Sequence, residues 1–361
     1  MKKRVIIVGG GYGGVRVMQR LSSIEGLEIL LIDQNPYHYL QTEAYALIAN
    51  AVTITDVTVD LVALCRRYKN TVYKKARITE IDLPAKCVKS AEESLYYDYL
   101  VIATGSCTNF PSSIPGLETY SHGVKTLQRA FEFKQQFESQ LYESMQSEED
   151  RLCKAFNVVI GGAGLSGVEI AAEMGHYAKK FVQDNRMMCE GIQICLIASG
   201  DKVLAGTNPY IQEKARKRLQ DLGVKVFYNT RIQEVREEEV LLSNGGSIQF
   251  DFMIFAGGTK GSPLTRAVSC KRNTKDQIIV DRTLQVNGHK NVYAVGDIAA
   301  LEQQDFRAAA AHIDKEPGLA FLQVAPGVVG KDNSRLFLAF DDVDIHTGFF
   351  ENMFLYFLSI V

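Results

Sequence analysis

Two stretches of the chain carry the same hydrophobic pattern. Val5-Ile6-Ile7-Val8 is a continuous apolar run leading into Gly9-Gly10-Gly11-Tyr12-Gly13-Gly14, after which Val15–Leu21 has apolar residues at helical spacing. Val158-Val159-Ile160 leads in the same way into Gly162-Ala163-Gly164-Leu165-Ser166-Gly167 and the helical stretch Val168–Met174. A short apolar run bounded by glycine predicts a strand buried on both faces, the kind found in parallel sheets. A second apolar run follows each helix, Glu28–Ile32 in the first copy and Gln193–Ile197 in the second. Strand, helix and strand make a βαβ unit, so the pattern predicts an α/β fold with two Rossmann-like cores. Between them, Ala130–Cys153 is charged and rich in Gln and Glu, with Phe131, Phe133, Phe137 and Leu141 at helical spacing. It predicts a surface helix connecting the cores.

Glycine clusters are common in turns, and a strand before, a helix after and an acid at the right distance make this one specific. Gly9 permits the tight turn, Gly11 lets the backbone approach a pyrophosphate, and Gly14 lets the helix pack closely on the strand. Tyr12 and Gly13 belong to the same turn, at a helix amino terminus whose free N–H groups and dipole favour phosphate. Asp33 lies nineteen residues after Gly14, where a carboxylate can accept hydrogen bonds from ribose hydroxyls. In the second turn Gly162, Gly164 and Gly167 take the same places, but the position matching Asp33 is Ala198. An NAD site has its ribose-binding acid there. Three readings stay open: Asp201 substitutes, Ser199 and Lys202 accommodate a 2′-phosphate, or the second turn is kept for its fold alone.

A length of 361 residues fits two domains, and 46% hydrophobic residues suffice for full cores. Net charge is −2 with both signs interspersed, which excludes nucleic acid as the expected partner. The seven cysteines (65, 87, 107, 153, 189, 195 and 270) contain no Cys-x-x-Cys pair, so neither a zinc site nor a disulfide framework is expected, and no metal. Met1-Lys2-Lys3-Arg4 runs straight into the first strand without a signal-peptide pattern, and no run reaches the ~18–20 apolar residues of a spanning helix. A cytoplasmic protein is expected.

Four further motifs narrow the class. Tyr99-Leu-Val-Ile-Ala-Thr-Gly105 and Phe252-Met-Ile-Phe-Ala-Gly-Gly258 are buried strands ending in small residues. Asn291-Val-Tyr-Ala-Val-Gly-Asp297 ends in Gly-Asp, and Pro36-Tyr-His-Tyr-Leu follows Asp33 closely. In this order, with both glycine turns, they resemble the two-dinucleotide-domain flavoproteins of the FAD/NAD(P) pyridine nucleotide-disulfide oxidoreductase superfamily. Over about residues 4–300 the chain looks most like the type II NADH:quinone oxidoreductases, relatives of sulfide:quinone oxidoreductase.

The resemblance implies an FAD-binding domain in two parts, 1–120 and 261–335, with the NAD(P)-binding domain and its connecting helix inserted at 121–260. A tail, 336–361, is left for membrane or dimer contact. Gly9, Gly11, Gly14 and Asp33 would hold the FAD pyrophosphate and ribose, and Ile78 matches the backbone contacting adenine. Thr104 and Gly105 match the strand end beside the flavin. Asp297 matches the acid that binds the ribityl chain, with a helix expected to start at Ile298-Ala299. Gly162, Gly164 and Gly167 would hold NADH, with Gly257 and Gly258 near the nicotinamide. Glu169 matches a glutamate at the junction of flavin and nicotinamide and is the candidate catalytic residue; its plainer reading is a helix-end carboxylate favoured by the dipole. The implied reaction passes hydride from NADH to the flavin and electrons onward to a quinone.

Departures from the family pattern define the rivals. Disulfide reductases carry a cysteine pair where this chain has Gln41-Thr-Glu-Ala-Tyr-Ala-Leu-Ile48, and Cys107 has no evident partner for sulfur chemistry. In Ala308–Ile313, Ala309 and Ile313 stand where the family has quinone-facing glutamines. The alternatives are therefore a sulfide:quinone oxidoreductase-like flavoprotein, a soluble NAD(P)H reductase for a small redox protein, and a flavin-binding redox sensor without turnover. Phe349–Val361 is the one segment that could lie on the inner-membrane surface, but it is apolar nearly all round and reads equally well as a core helix; a homodimer is a further expectation.

Overall fold

The computed structural model describes residues 2–146, 156–184 and 191–302. It divides into two compact units. The first contains residues 2–39, 58–107 and 259–302, and the second contains 40–57, 108–146, 156–184 and 191–258.

The first unit is built on a five-stranded sheet in the order Val292–Ala294, Tyr99–Ile102, Lys3–Val8, Leu27–Asp33, Thr71–Lys75. Every neighbouring pair is parallel. Lys3–Val8 is central, and its apolar residues Val5, Ile6 and Ile7 are fully buried, as a two-sided parallel strand requires. From Lys3–Val8 the strands run outward to Thr71–Lys75 on one side and later to Tyr99–Ile102 on the other, so the strand order switches sides here and the first glycine turn sits at the carboxyl end of the sheet at this switch point. Open α/β sheets form their ligand crevices at such points.

The second unit repeats the design with four parallel strands in the order Lys225–Phe227, Ile192–Ile197, Phe156–Gly161, Phe252–Phe255. In each unit a three-stranded antiparallel meander directly precedes a strand that neighbours the glycine-turn strand, Tyr99–Ile102 in the first and Phe252–Phe255 in the second. It spans Glu80–Asp82, Cys87–Lys89 and Ser94–Tyr96 in the first, and Ile232–Val235, Glu239–Leu242 and Ser247–Gln249 in the second. The repeat therefore extends well beyond the βαβ unit visible in the hydrophobic pattern.

Leu127–Gln146 is a helix of the second unit, and it is less superficial than its composition implies. Phe133, Phe137 and Leu141 are 0%, 1% and 2% exposed, while Phe131 is 38% exposed on the other side. Phe133 and Phe137 pack edge-on against Phe252, and Phe137 also against Phe156, so this helix covers the strands that flank the second glycine turn.

One expectation is corrected. No helix starts at Ile298-Ala299; Gly296–Ile298 is a single 3-10 turn, and Ala299–Leu301 is a short strand pairing in parallel with Ile278–Val280. Ala299 and Ile278 are fully buried in that pairing, and the burial favours an extended chain over a helical one. The expectations for Ala308–Ile313, Phe349–Val361 and the tail 336–361 lie outside the described residues.

Candidate functional site

Both glycine turns use the same contacts. Gly9 and Gly162 each have φ +110°, a conformation that side chains disfavour, at the point where the chain leaves the strand. A Cβ on Gly14 would collide with the carbonyl oxygen of Gly9, and one on Gly167 with that of Gly162. These are the close helix–strand approaches assigned to the third glycine. A Cβ on Gly11 or Gly164 would meet nothing within 4 Å, so each middle glycine faces open space. That space lies in front of a helix amino terminus, where Val15 N–H bonds Gly11 and Val168 N–H bonds Gly164 as the helices begin. Both turns thus present a helix amino terminus and room for an anion.

Around the first turn, Asp33 accepts hydrogen bonds from Gly10 N–H (2.6 Å) and Asn35 N–H (2.8 Å). Burial pushes its carboxyl above the usual carboxylate range, and these backbone donors pull against that. His38 is buried, and its Nδ1–H donates to the Gly10 carbonyl at 2.9 Å, since a carbonyl can only accept. The ring meets Tyr12 edge-on, with centroids 4.7 Å apart. Burial lowers the His38 pKa, against the opposing pull of the Gly10 hydrogen bond, and so favours the neutral imidazole, which can donate from one nitrogen. His38 fixes the turn from behind. It sits in the Pro36-Tyr-His-Tyr-Leu motif, which drew attention to the segment without naming this residue.

The ends of neighbouring strands complete the first site. Gly13 lies against Val295, and Val295 N–H bonds the Ile102 carbonyl, which brings the Gly-Asp and Ala-Thr-Gly motifs together. Thr104 Oγ1 and Ser262 Oγ are 2.7 Å apart, and the Gly105 carbonyl accepts from Ser262 N–H. Ser106 Oγ–H donates to Asp297 Oδ2 at 2.7 Å, and Gln277 Nε2–H donates to the Asp297 carbonyl at 2.9 Å. Ile78 is buried in the same unit's core. Ser106 and Ser262 were missed from sequence; Ser106 directly follows Ala-Thr-Gly, which was the available signal.

In the second unit, Gly162 N–H bonds the Ile197 carbonyl, and Leu204 N–H bonds the Ala163 carbonyl. Gly257 and Gly258 are exposed at the end of Phe252–Phe255, with the Phe255 ring folded over Gly257. Glu169 stands in the first turns of the helix Leu165–Asp184, half-buried. Its carboxyl is pushed up to about 7, first by burial and then by Glu173 and Glu43. Glu173 is one turn further along the same helix, and Glu43 comes from residues 40–57 of the same unit. Their carboxyls are also raised chiefly by burial, with Arg218 opposing at Glu173 and Thr42 opposing at Glu43. Three carboxyls in mutual reach favour retention of a proton at neutral pH. The i,i+4 spacing of Glu169 and Glu173 was visible in sequence; the approach of Glu43 was not.

Cys65, Cys87 and Cys195 are buried, and Cys107 and Cys270 are half-buried; all five are free thiols. Among the described residues no group of His, Cys, Asp and Glu could hold a metal ion, and no helix is long and apolar enough to cross a membrane.

Comparison with known proteins agrees with this geometry. The chain is 30% identical over 309 residues to a demethylphylloquinone reductase of Synechocystis sp., covering 82% of this chain and 72% of the relative. It is 25% identical over 307 residues to the type II NADH:quinone oxidoreductase of Staphylococcus aureus, covering 83% and 75%. NDH2 of Plasmodium falciparum, solved in complex with NADH, shares the fold with TM-score 0.73 at 22% identity, over 84% of this chain and 65% of that one. The sulfide:quinone oxidoreductase of Aquifex aeolicus does so with TM-score 0.71 at 21% identity, over 89% and 75%. The model of the pyridine nucleotide-disulphide oxidoreductase family matches residues 3–323, and the chain belongs to that family.

Proposed function

We propose that this chain is an FAD-dependent NADH dehydrogenase that delivers electrons to a quinone. The observation that carries the reading is the pair of glycine turns in matching register, each open in front of its middle glycine, on a chain whose relatives are named as quinone reductases. The residues present fit FAD in the first unit. The open face at Gly11 admits a pyrophosphate, Asp33 offers a carboxylate at the strand end, and Asp297 is held by Ser106 at the end of an adjacent strand. Bound FAD supplies the two-electron redox chemistry, which no side chain of this site can supply.

The chain's own residues bind, orient and handle a proton. Gly9, Gly11, Tyr12, Gly13 and Gly14 form the pyrophosphate turn, and His38 holds it in place through the Gly10 carbonyl. Ile78 borders the adenine, and Thr104, Gly105 and Asp297 border the flavin. Gly162, Gly164 and Gly167 take the nicotinamide nucleotide, with Gly257 and Gly258 beside its ring. Reduction of a quinone to a quinol consumes two electrons and two protons. A hydride brings one proton equivalent, and Glu169, whose carboxyl is pushed up to about 7, is suited to hold the other. A lipid-soluble quinone would be met at a membrane surface, and co-sedimentation with liposomes tests that association directly.

Anaerobic titration tests the whole reading. The purified protein is expected to be yellow, to bleach with one equivalent of NADH, and to regain colour on addition of a short-chain quinone. Colour that NADH does not bleach assigns the chain to a flavin-binding protein without NADH turnover. Bleaching without recovery on quinone moves the acceptor to a different class.

A further inference from the structure

The two turns can be matched residue by residue through their strand registers. Val8 pairs with Ile32, and Gly161 pairs with Ile197. Gly9 N–H donates to the Ile32 carbonyl at 2.8 Å, and Gly162 N–H donates to the Ile197 carbonyl at 3.0 Å. The residue after each isoleucine is therefore the same structural position, Asp33 in the first unit and Ala198 in the second. At Asp33 a carboxylate oxygen takes the amide of Gly10. At Ala198 there is a methyl group instead, and the matching amide belongs to Ala163.

Ala198 is also fixed in place. It is 0% exposed; its N–H bonds the Phe227 carbonyl (2.9 Å) and its carbonyl accepts from Thr230 N–H (3.0 Å). The backbone leaves the sheet only at Ser199, and Gly200 is tied by its carbonyl to Asn229 N–H. Ser199, Asp201 and Lys202 follow, all exposed. A carboxylate at the strand end does two things in such sites: it accepts from the ribose 2′-hydroxyl and repels a 2′-phosphate. This chain has neither at the position where the geometry delivers them, and has the Ser199 hydroxyl, the Asp201 carboxylate and the Lys202 ammonium within the next four residues.

We propose that the second nucleotide site accepts 2′-phosphorylated dinucleotides as well as unphosphorylated ones, so that NADPH and NADH are both electron donors, with Ala198 as the specificity-determining residue. Ser199 and Lys202 supply the hydrogen bond and positive charge for the 2′-phosphate. The proposal rests on the reading of the second turn as a nicotinamide-nucleotide site.

Isothermal titration of the FAD-loaded protein with ADP-ribose and 2′-phospho-ADP-ribose measures the preference without turnover. The two dissociation constants are expected to agree within about tenfold, because Ala198 offers no carboxylate to repel the phosphate. Ala198→Glu is expected to weaken the 2′-phosphorylated ligand selectively, by roughly thirtyfold or more, since juxtaposed like charges cost several kcal/mol. Should the buried glutamate compromise folding, Lys202→Ala serves instead, as an exposed change expected to weaken only the phosphorylated ligand and to reduce its salt dependence. A wild-type preference above about a hundredfold for ADP-ribose overturns the proposal, and its loss in Asp201→Asn would identify Asp201 as the discriminating acid. Binding of neither ligand overturns it together with the nucleotide-site reading. Equal binding without flavin bleaching by NADH sustains the dual nucleotide specificity of the site, but overturns its part in electron donation together with the dehydrogenase reading.

Discussion

Gly11 and Gly14 separate two reasons for a glycine. A Cβ at Gly11 meets no protein atom within 4 Å, whereas one at Gly14 must displace the Gly9 carbonyl, which is backbone and cannot turn aside. Gly11→Val is therefore expected to fold with a melting temperature close to that of wild-type apoprotein and to bind no flavin. Gly14→Val is expected to lose stability by about 1–3 kcal/mol or fail to fold, as overpacked sites do. Denaturant melts with flavin absorbance compare the two, and full flavin in Gly11→Val would sink the pyrophosphate assignment. Glu169 gives a pH signature. Its carboxyl titrates near 7 in the folded chain, above the ordinary 4.5. Between those values the unfolded chain releases a proton that the folded chain keeps, so stability is highest at the acidic end and falls as pH rises toward 7. Glu169→Gln is expected to flatten that fall without reducing flavin content, and to slow acceptor reduction. Unchanged melting profiles and unchanged rates would leave Glu169 as a helix-end charge only.

The elements show where a hydrophobic pattern is a sufficient guide and where it is not. The strands Lys3–Val8 and Phe156–Gly161 were legible because a strand buried on both faces has no polar alternation to blur it. The helix Leu127–Gln146 was legible as a helix, but its burial was not, since charged residues on its outer face dominate its composition. Phe137 meets Phe133, Phe156, Tyr177 and Phe252, and truncating it leaves a cavity among aromatic rings. Phe137→Ala is expected to cost about 3–5 kcal/mol, against little for Phe131→Ala, measured by urea melts. A small cost at Phe137 would mean the helix is docked more loosely than its packing indicates. The strand Ala299–Leu301 was illegible for the opposite reason. Three small or aliphatic residues carry no period, and only the pairing with Ile278–Val280 decides their conformation.

Across the whole molecule, the duplicated turn was readable because its contacts are local, between residues a few positions apart. What joins distant segments was not. Glu43 reaches Glu169 only through the inclusion of 40–57 in the second unit, which no periodicity marks, and Ser106 reaches Asp297 across 191 positions. Each unit has its own sheet and buried core, so each ligand is expected to stabilise the unit that binds it. Binding to the native state adds about 2.7 kcal/mol at a hundredfold excess over Kd, enough to slow local opening measurably. Hydrogen exchange followed by mass spectrometry separates the two footprints. Adding FAD to apoprotein is expected to protect 5–15, 31–38, 99–107 and 292–298, the strand ends that carry Gly11, Asp33, Thr104 and Asp297. Adding ADP-ribose to the FAD-loaded protein is expected to protect 158–170, 196–204 and 252–258. The order matters, because a dinucleotide offered to apoprotein has two glycine turns to choose from. If FAD protects the second set, the carboxylate at Asp33 is not what assigns the two sites, and the roles of the two units have to be exchanged.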